Sequence, residues 1–175
     1  FIGFLFGFVL ATNKDLQDFD IVLLDNVISS AEELIFDITV SSFNPGFFTI
    51  TVNSLDVDVF AKSKLVLKTE ALFLGSIDEM EIPLRFAGGF FNRRYAASTT
   101  TLKVVSPGNS STSDNMKWRK VIKNDYELVL RGTMKYSIPF FGNSRSINVQ
   151  HSATVSGHKN EVENEYISTT ITNIL

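Results

Sequence analysis

The chain has 175 residues, 16 Lys plus Arg against 19 Asp plus Glu, and a formal net charge of −3. One domain with a substantial core fits that length and the 44% hydrophobic content. The balanced charge argues against a nucleic-acid partner, and the absence of cysteine excludes disulfides, zinc–thiolate sites, iron–sulfur clusters and a cysteine nucleophile. Two His leave little material for a His-based metal site or triad, whereas Phe is abundant at 16 residues.

Residues 1–12 (Phe-Ile-Gly-Phe-Leu-Phe-Gly-Phe-Val-Leu-Ala-Thr) carry no charge. A bilayer span takes roughly 20 such residues. Because the chain opens on Phe1 rather than Met, the run is expected to be the C-terminal part of a transmembrane helix. The alternatives are a signal-peptide core or a buried segment. Lys14 is followed by Asp15, Asp18, Asp20 and Asp25, a flank poor in cations and therefore expected on the extracytoplasmic side. The expected division is a membrane segment over 1–12 and a luminal domain over 13–175.

Strand periodicity dominates the rest of the chain. Leu34, Phe36, Ile38 and Val40 alternate with polar residues, as in a half-buried strand. Asn44-Pro45-Gly46 is a turn, after which Phe48, Ile50 and Val52 alternate. At Asn53-Ser54 the phase slips to Leu55, Val57 and Val59, which predicts a β-bulge. Ile82, Leu84 and Phe86 form a short strand, placed at an edge or strand start by Pro83. Thr100, Leu102 and Val104 form another, stopped by Pro107-Gly108. In that loop, Asn109-Ser110-Ser111 is an N-glycosylation sequon. Residues 115–123 give a helix, with Trp118, Val121 and Ile122 on one face and Lys117, Arg119, Lys120 and Lys123 mostly elsewhere. Tyr126 to Phe140 alternates in the even phase, with a bend or bulge expected at Gly132. Gly142-Asn143 then turns the chain into Ile147, Val149, Ala153 and Val155, completing a long hairpin. The fold class is all-β: an immunoglobulin/fibronectin-III-like β-sandwich of about seven strands with one short helix, preceded by the end of a transmembrane helix.

An apolar-periodic strand ending in Asn44-Pro45, then an alternating strand that turns near Asn53, resembles the type-2 late embryogenesis abundant domain. The segment Phe8 to Leu16, leaving a membrane run into such a domain, is more specifically similar to the C-terminal part of the fungal vacuolar segregation family. Gly46 departs from the family, which often has a second Asn there; only a changed turn is expected. The resemblance implies a single-pass vacuolar membrane protein with this domain in the lumen. It also implies a role in regulating phosphatidylinositol 3,5-bisphosphate synthesis and vacuole morphology. Contact with the lipid-kinase regulatory complex would come from a cytosolic part outside these residues. The domain itself would bind or transfer lipid in a groove between the sheets. The alternative is a luminal protein-interaction or sensor domain, including the related autophagy-termination type, without a lipid ligand.

Chemistry selects the candidate site residues. The pairs Phe47-Phe48, Phe90-Phe91 and Phe140-Phe141 cannot both point into one sheet face if they lie on strands. Phe90, Phe91, Phe140 and Phe141 are therefore either ordinary core or a lipid-facing mouth. Trp118 either caps the sandwich or sits at a bilayer surface, with Lys117, Arg119 and Lys120 at anionic headgroups. His151, on the dry phase of its strand, is a core histidine or a sensor of an acidic lumen. His158 reads as a loop residue. No catalytic motif is present, Asp56 and Asp58 lie on a wet strand face, and neither a metal nor a cofactor is expected.

Overall fold

The computed structural model describes residues 2–12, 14–140, 142–157 and 162–164. A helix, α1 (Ile2–Thr12), leads into β1 (Gln17–Ser29), β2 (Glu33–Phe43), β3 (Ile50–Lys62), β4 (Ala71–Ile77), β5 (Leu84–Phe86) and β6 (Ala96–Val105). A second helix, α2 (Thr112–Val121), precedes β7 (Tyr126–Ser137), β8 (Ser144–Val155) and β9 (Val162–Asn164). One sheet has the order β1-β2-β6. The other runs β4-β3-β7-β8-β9, with β5 joining β3 beyond the end of β4. All pairings are antiparallel. The all-β sandwich is thus present, with nine strands among the described residues rather than about seven.

Period-2 patterning places the core. Leu34, Phe36, Ile38 and Val40 of β2 are completely buried against Val52, Val59, Leu128 and Leu130 of the other sheet. Each such side chain contributes about 2 kcal/mol on removal from water. The bulge in β3 is where the phase slip put it: Val52 pairs with Tyr136, Ser54 with Lys135, and Asn53 is the extra residue.

Several elements differ from expectation for definable reasons. Strand β1 hides its period because its register against β2 shifts three times. Asp18 and Asn26 there adopt φ of 49°, so the buried residues Ile21, Leu24 and Val27 fall three apart. Strand β4 likewise slips opposite Val59/Phe60, leaving Leu72, Leu74 and Ile77 buried at uneven spacing. Ile82 is exposed, and the short strand begins only after Pro83. Phe48 precedes β3 and lies in a bend rather than a strand. Gly132 is no bulge: it pairs in register with Val57 and Val149. The second helix starts three residues early because Ser111 caps it, its hydroxyl accepting from the Asp114 N–H at 3.1 Å.

Tyr126, packed edge-on to Trp118 with ring centroids 5.6 Å apart, leaves its hydroxyl buried with no hydrogen-bond partner among the described residues. Burial pushes its pKa up from 10.0 to about 12; the Ser29 hydroxyl pulls weakly the other way without making a bond of normal geometry. A neutral phenol is favoured in the fold. Its stabilising contribution is therefore complete below pH 10 and is lost as the pH climbs toward 12. Two units correspond to roughly 2–3 kcal/mol. Urea unfolding at pH 8 and pH 11 is expected to show a smaller alkaline loss in Tyr126→Phe than in the parent. Equal losses would assign the alkaline transition to other groups.

Candidate functional site

Strand direction sorts the loops into two ends. The registers put the start of β1, the β2–β3 turn, the β5–β6 loop and the β7–β8 turn at the end from which α1 emerges. The β3–β4 loop, α2 and the turn before it lie at the opposite end, about 40 Å away along a 13-residue strand.

At the α1 end, Asn44 is the organising residue. It is 1% exposed, and its side-chain amide donates to Phe48 O at 2.8 Å and to Phe86 O at 2.9 Å. Its Oδ1 accepts from the Gly46 N–H at 3.0 Å, and its carbonyl accepts from the Gly89 N–H at 2.7 Å. One residue thereby ties the β2–β3 turn to the β5–β6 loop. Gly88 allows the approach, since a Cβ there would lie 2.3 Å from Phe47 O.

The two tied loops bring aromatic rings together. Phe47 packs on Phe90 at a centroid separation of 4.0 Å and on Phe91 at 5.5 Å, while Phe48 meets Phe140 at 4.9 Å. Phe8 of α1 joins both loop residues, stacking on Phe47 at 5.4 Å and meeting Phe48 edge-on at 6.0 Å. Phe91 and Phe140 remain 87% and 84% exposed, and Phe90 45%. Phe47, Phe48, Phe90, Phe91 and Phe140 are on bends and turns, not strands, which is why adjacent rings here escape the core. Phe141 lies outside the described residues, as does His158. Phe8, Phe47 and Phe48 belong to this cluster although sequence reasoning saw only an apolar run and an odd pair. A clasp fixes the exit of α1: the Leu16 N–H donates to Tyr136 Oη at 3.2 Å, which donates to Asp15 at 3.2 Å, and Arg145 pairs with Asp15 at 3.1 Å. Burial, more than the Asp15 charge, raises the Tyr136 pKa.

The second group of candidates is elsewhere. Trp118 is completely buried and its indole N–H donates to Ser30 O at 2.8 Å, so it anchors α2 to the sandwich instead of facing lipid. Lys117 pairs with Asp114 at 3.5 Å, Arg119 donates to Asn115, and Lys120 is exposed. All three are at the opposite end from the Phe cluster, so the two groups cannot form one lipid site. Asn109 is exposed on a turn at that same distant end. His151 is half-buried in β8, paired with Leu130 and remote from both ends.

A groove of about 890 Å³ runs along the β4 and β6 edges, lined by Ile35, Phe73 and Val105 together with Asp78, Glu79, Glu81 and Lys103. Asp58 accepts from the Ser76 hydroxyl at 2.6 Å on the wet face of β3. Among the described residues no cluster of His, Asp and Glu could hold a metal ion.

Residues 2–70 match the family described as vacuolar segregation subunit 7. Vacuolar segregation protein 7 of Saccharomyces cerevisiae is 37% identical over 227 aligned positions, covering 87% of this chain and 20% of that protein. The chain therefore spans about a fifth of the length of the curated relative it matches. Among solved structures, one from Archaeoglobus fulgidus superposes with a TM-score of 0.45 at 8% identity, covering 77% of this chain and 97% of that one. One from Arabidopsis thaliana gives 0.47 at 14% identity, covering 79% and 80%. A late embryogenesis abundant protein gives 0.45 at 19% identity, covering 89% and 78%.

Proposed function

From its place in the vacuolar segregation subunit 7 family, to which this chain belongs, we infer that it is the membrane-proximal, non-catalytic part of a vacuolar segregation regulator. It rests its aromatic turns on the lipid from which α1 emerges. The observation that carries this is the convergence of Phe47, Phe48, Phe90, Phe91 and Phe140 on Phe8 at one end of the sandwich. Helix α1 is apolar on every face, with Ile2, Phe4 and Phe6 strongly exposed, a pattern that suits a lipid environment and not water. Among the described residues no helix is long and apolar enough to cross a membrane. At 11 residues, α1 is about 16 Å long, half the thickness of a bilayer core. The acidic flank and the exposed Asn109 sequon at the distant end support a luminal position for the sandwich; a mobility shift on deglycosylation of the native protein is expected. Engagement of the lipid-kinase complex falls to parts of the protein outside this chain.

The chain has no cysteine, so single spin labels can be introduced without removing any native thiol. With the chain reconstituted in bilayers, a label at Phe91→Cys is expected to be accessible to oxygen and shielded from a water-soluble nickel chelate. One at Arg119→Cys should show the reverse. Equal aqueous access at both positions defeats the docking reading. The acid-rich groove beside β4 and β6 favours a second reading, a luminal protein-interaction surface for a basic segment; that reading gains if residue 91 stays in water.

A further inference from the structure

Beside the aromatic turns, the start of β1 and the β5–β6 loop border a surface cavity of about 560 Å³, open to solvent and lined by Gln17, Asp18, Phe43, Phe90, Arg93 and Tyr95. Phe43 and Tyr95 form one aromatic wall, with ring centroids 6.0 Å apart at 48°. Phe90, held by its packing on Phe47, supplies another. The Tyr95 hydroxyl donates to Asp18 Oδ2 at 2.5 Å, which fixes the ring against the carboxylate. The Arg93 backbone is held by its N–H bond to Gly89 O at 2.8 Å, the residue that Asn44 pins, and its side chain lines the cavity. Asp18 and Arg93 both hold left-handed backbone, at φ 49° and 44°. Non-glycine residues pay for that conformation, and such cost concentrates where side chains must be aimed.

The chemistry is that of a ligand bearing both charges. A lone anion would meet Asp18 and a lone cation would meet Arg93, so either half alone is disfavoured. A quaternary ammonium is weakly hydrated and suits aromatic walls backed by a carboxylate, while a guanidinium suits a phosphate. We propose that this cavity binds a zwitterionic phosphocholine-type headgroup, with the ammonium among Phe43, Phe90, Tyr95 and Asp18 and the phosphate at Arg93. The proposal rests on the membrane-docking reading and adds to it: the Phe side chains supply depth and this cavity supplies headgroup preference.

The test uses the full chain in phosphatidylglycerol nanodiscs, which present no ammonium. Amide shifts of Asp18, Gly89, Arg93 and Tyr95 are followed on addition of free phosphocholine. Saturation is expected in the millimolar range, with choline or inorganic phosphate each binding at least about fivefold more weakly. Tyr95→Ala and Arg93→Gln should each abolish saturation while the remaining amide spectrum stays folded. In phosphatidylcholine nanodiscs the titration should vanish, because lipid headgroups already occupy the cavity; its persistence there would make the free headgroup the ligand in place of the lipid. No saturation at tens of millimolar, or an equal response to phosphate or choline alone, overturns the proposal. Docking fails separately, through the label at residue 91.

Discussion

Asn44→Ala is expected to lower the unfolding free energy by about 4 kcal/mol and to release both aromatic turns together. The substitution leaves Phe48 O, Phe86 O and the Gly46 N–H without their partner in a place that is 1% exposed. A buried polar group stripped of its partner costs about 1–3 kcal/mol. Three such groups therefore outweigh the small apolar change. Asn44→Asp separates the terms: its carboxylate still accepts from Gly46, but the two donated bonds are lost and a charge is buried. It should be no more stable than the alanine variant. Urea unfolding measures the loss, and amide exchange locates it, with faster exchange expected at Gly46, Gly89 and Phe90. The N–H groups of Gly89 and Phe90 bond to carbonyls of the turn that Asn44 shapes. A stability within 1 kcal/mol of the parent would mean the Asn-Pro turn is held by Pro45 and ring packing alone.

The parts of this architecture that local pattern could reveal are those where one strand keeps one register. Strand β2 alternates without interruption and its buried phase is complete, and the bulge at Asn53 announces itself because apolar residues continue on both sides. Strands β1 and β4 escape because their bulges break the period of two among buried residues, and left-handed Asp18 and Asn26 carry no apolar marker. That loss mattered for the site. Each antiparallel strand reverses the chain, so deciding which loops share an end requires counting every strand. With β1 and β4 missing, Trp118 and Phe90 could not be assigned to opposite ends. The Phe pairs were legible as anomalies, since two adjacent large apolar residues do not fit one pleated face. Their convergence was not, because Phe8, Phe47, Phe90 and Phe140 meet only through long-range pairing of strands far apart in sequence.

Gly132→Ala is expected to cost about 4 kcal/mol, enough to lower the melting temperature by roughly 10 °C. The position interrupts an otherwise apolar phase between Leu130 and Met134, where alanine would look harmless or even favourable for a strand. Geometry says otherwise. A Cβ at this position would lie 2.1 Å from Asp56 O and 2.6 Å from Val57 Cα. Both atoms are backbone of β3, and β3 is itself held by β4 on its other edge. No side-chain rotation relieves such contacts, so the β3–β7 pairing must open at the middle of the larger sheet. Gly142→Ala gives the contrast. Its cost should stay near 1 kcal/mol, from a φ of +64° alone, because nothing lies within 4 Å of the added methyl group. Thermal unfolding of the two variants side by side tests the difference. If Gly132→Ala melts with the parent, β3 and β7 have room to part, and the glycine then serves flexibility instead of close approach. If it melts far lower while Gly142→Ala does not, the sheet that aims the β7–β8 turn at the α1 end depends on backbone contact at this residue.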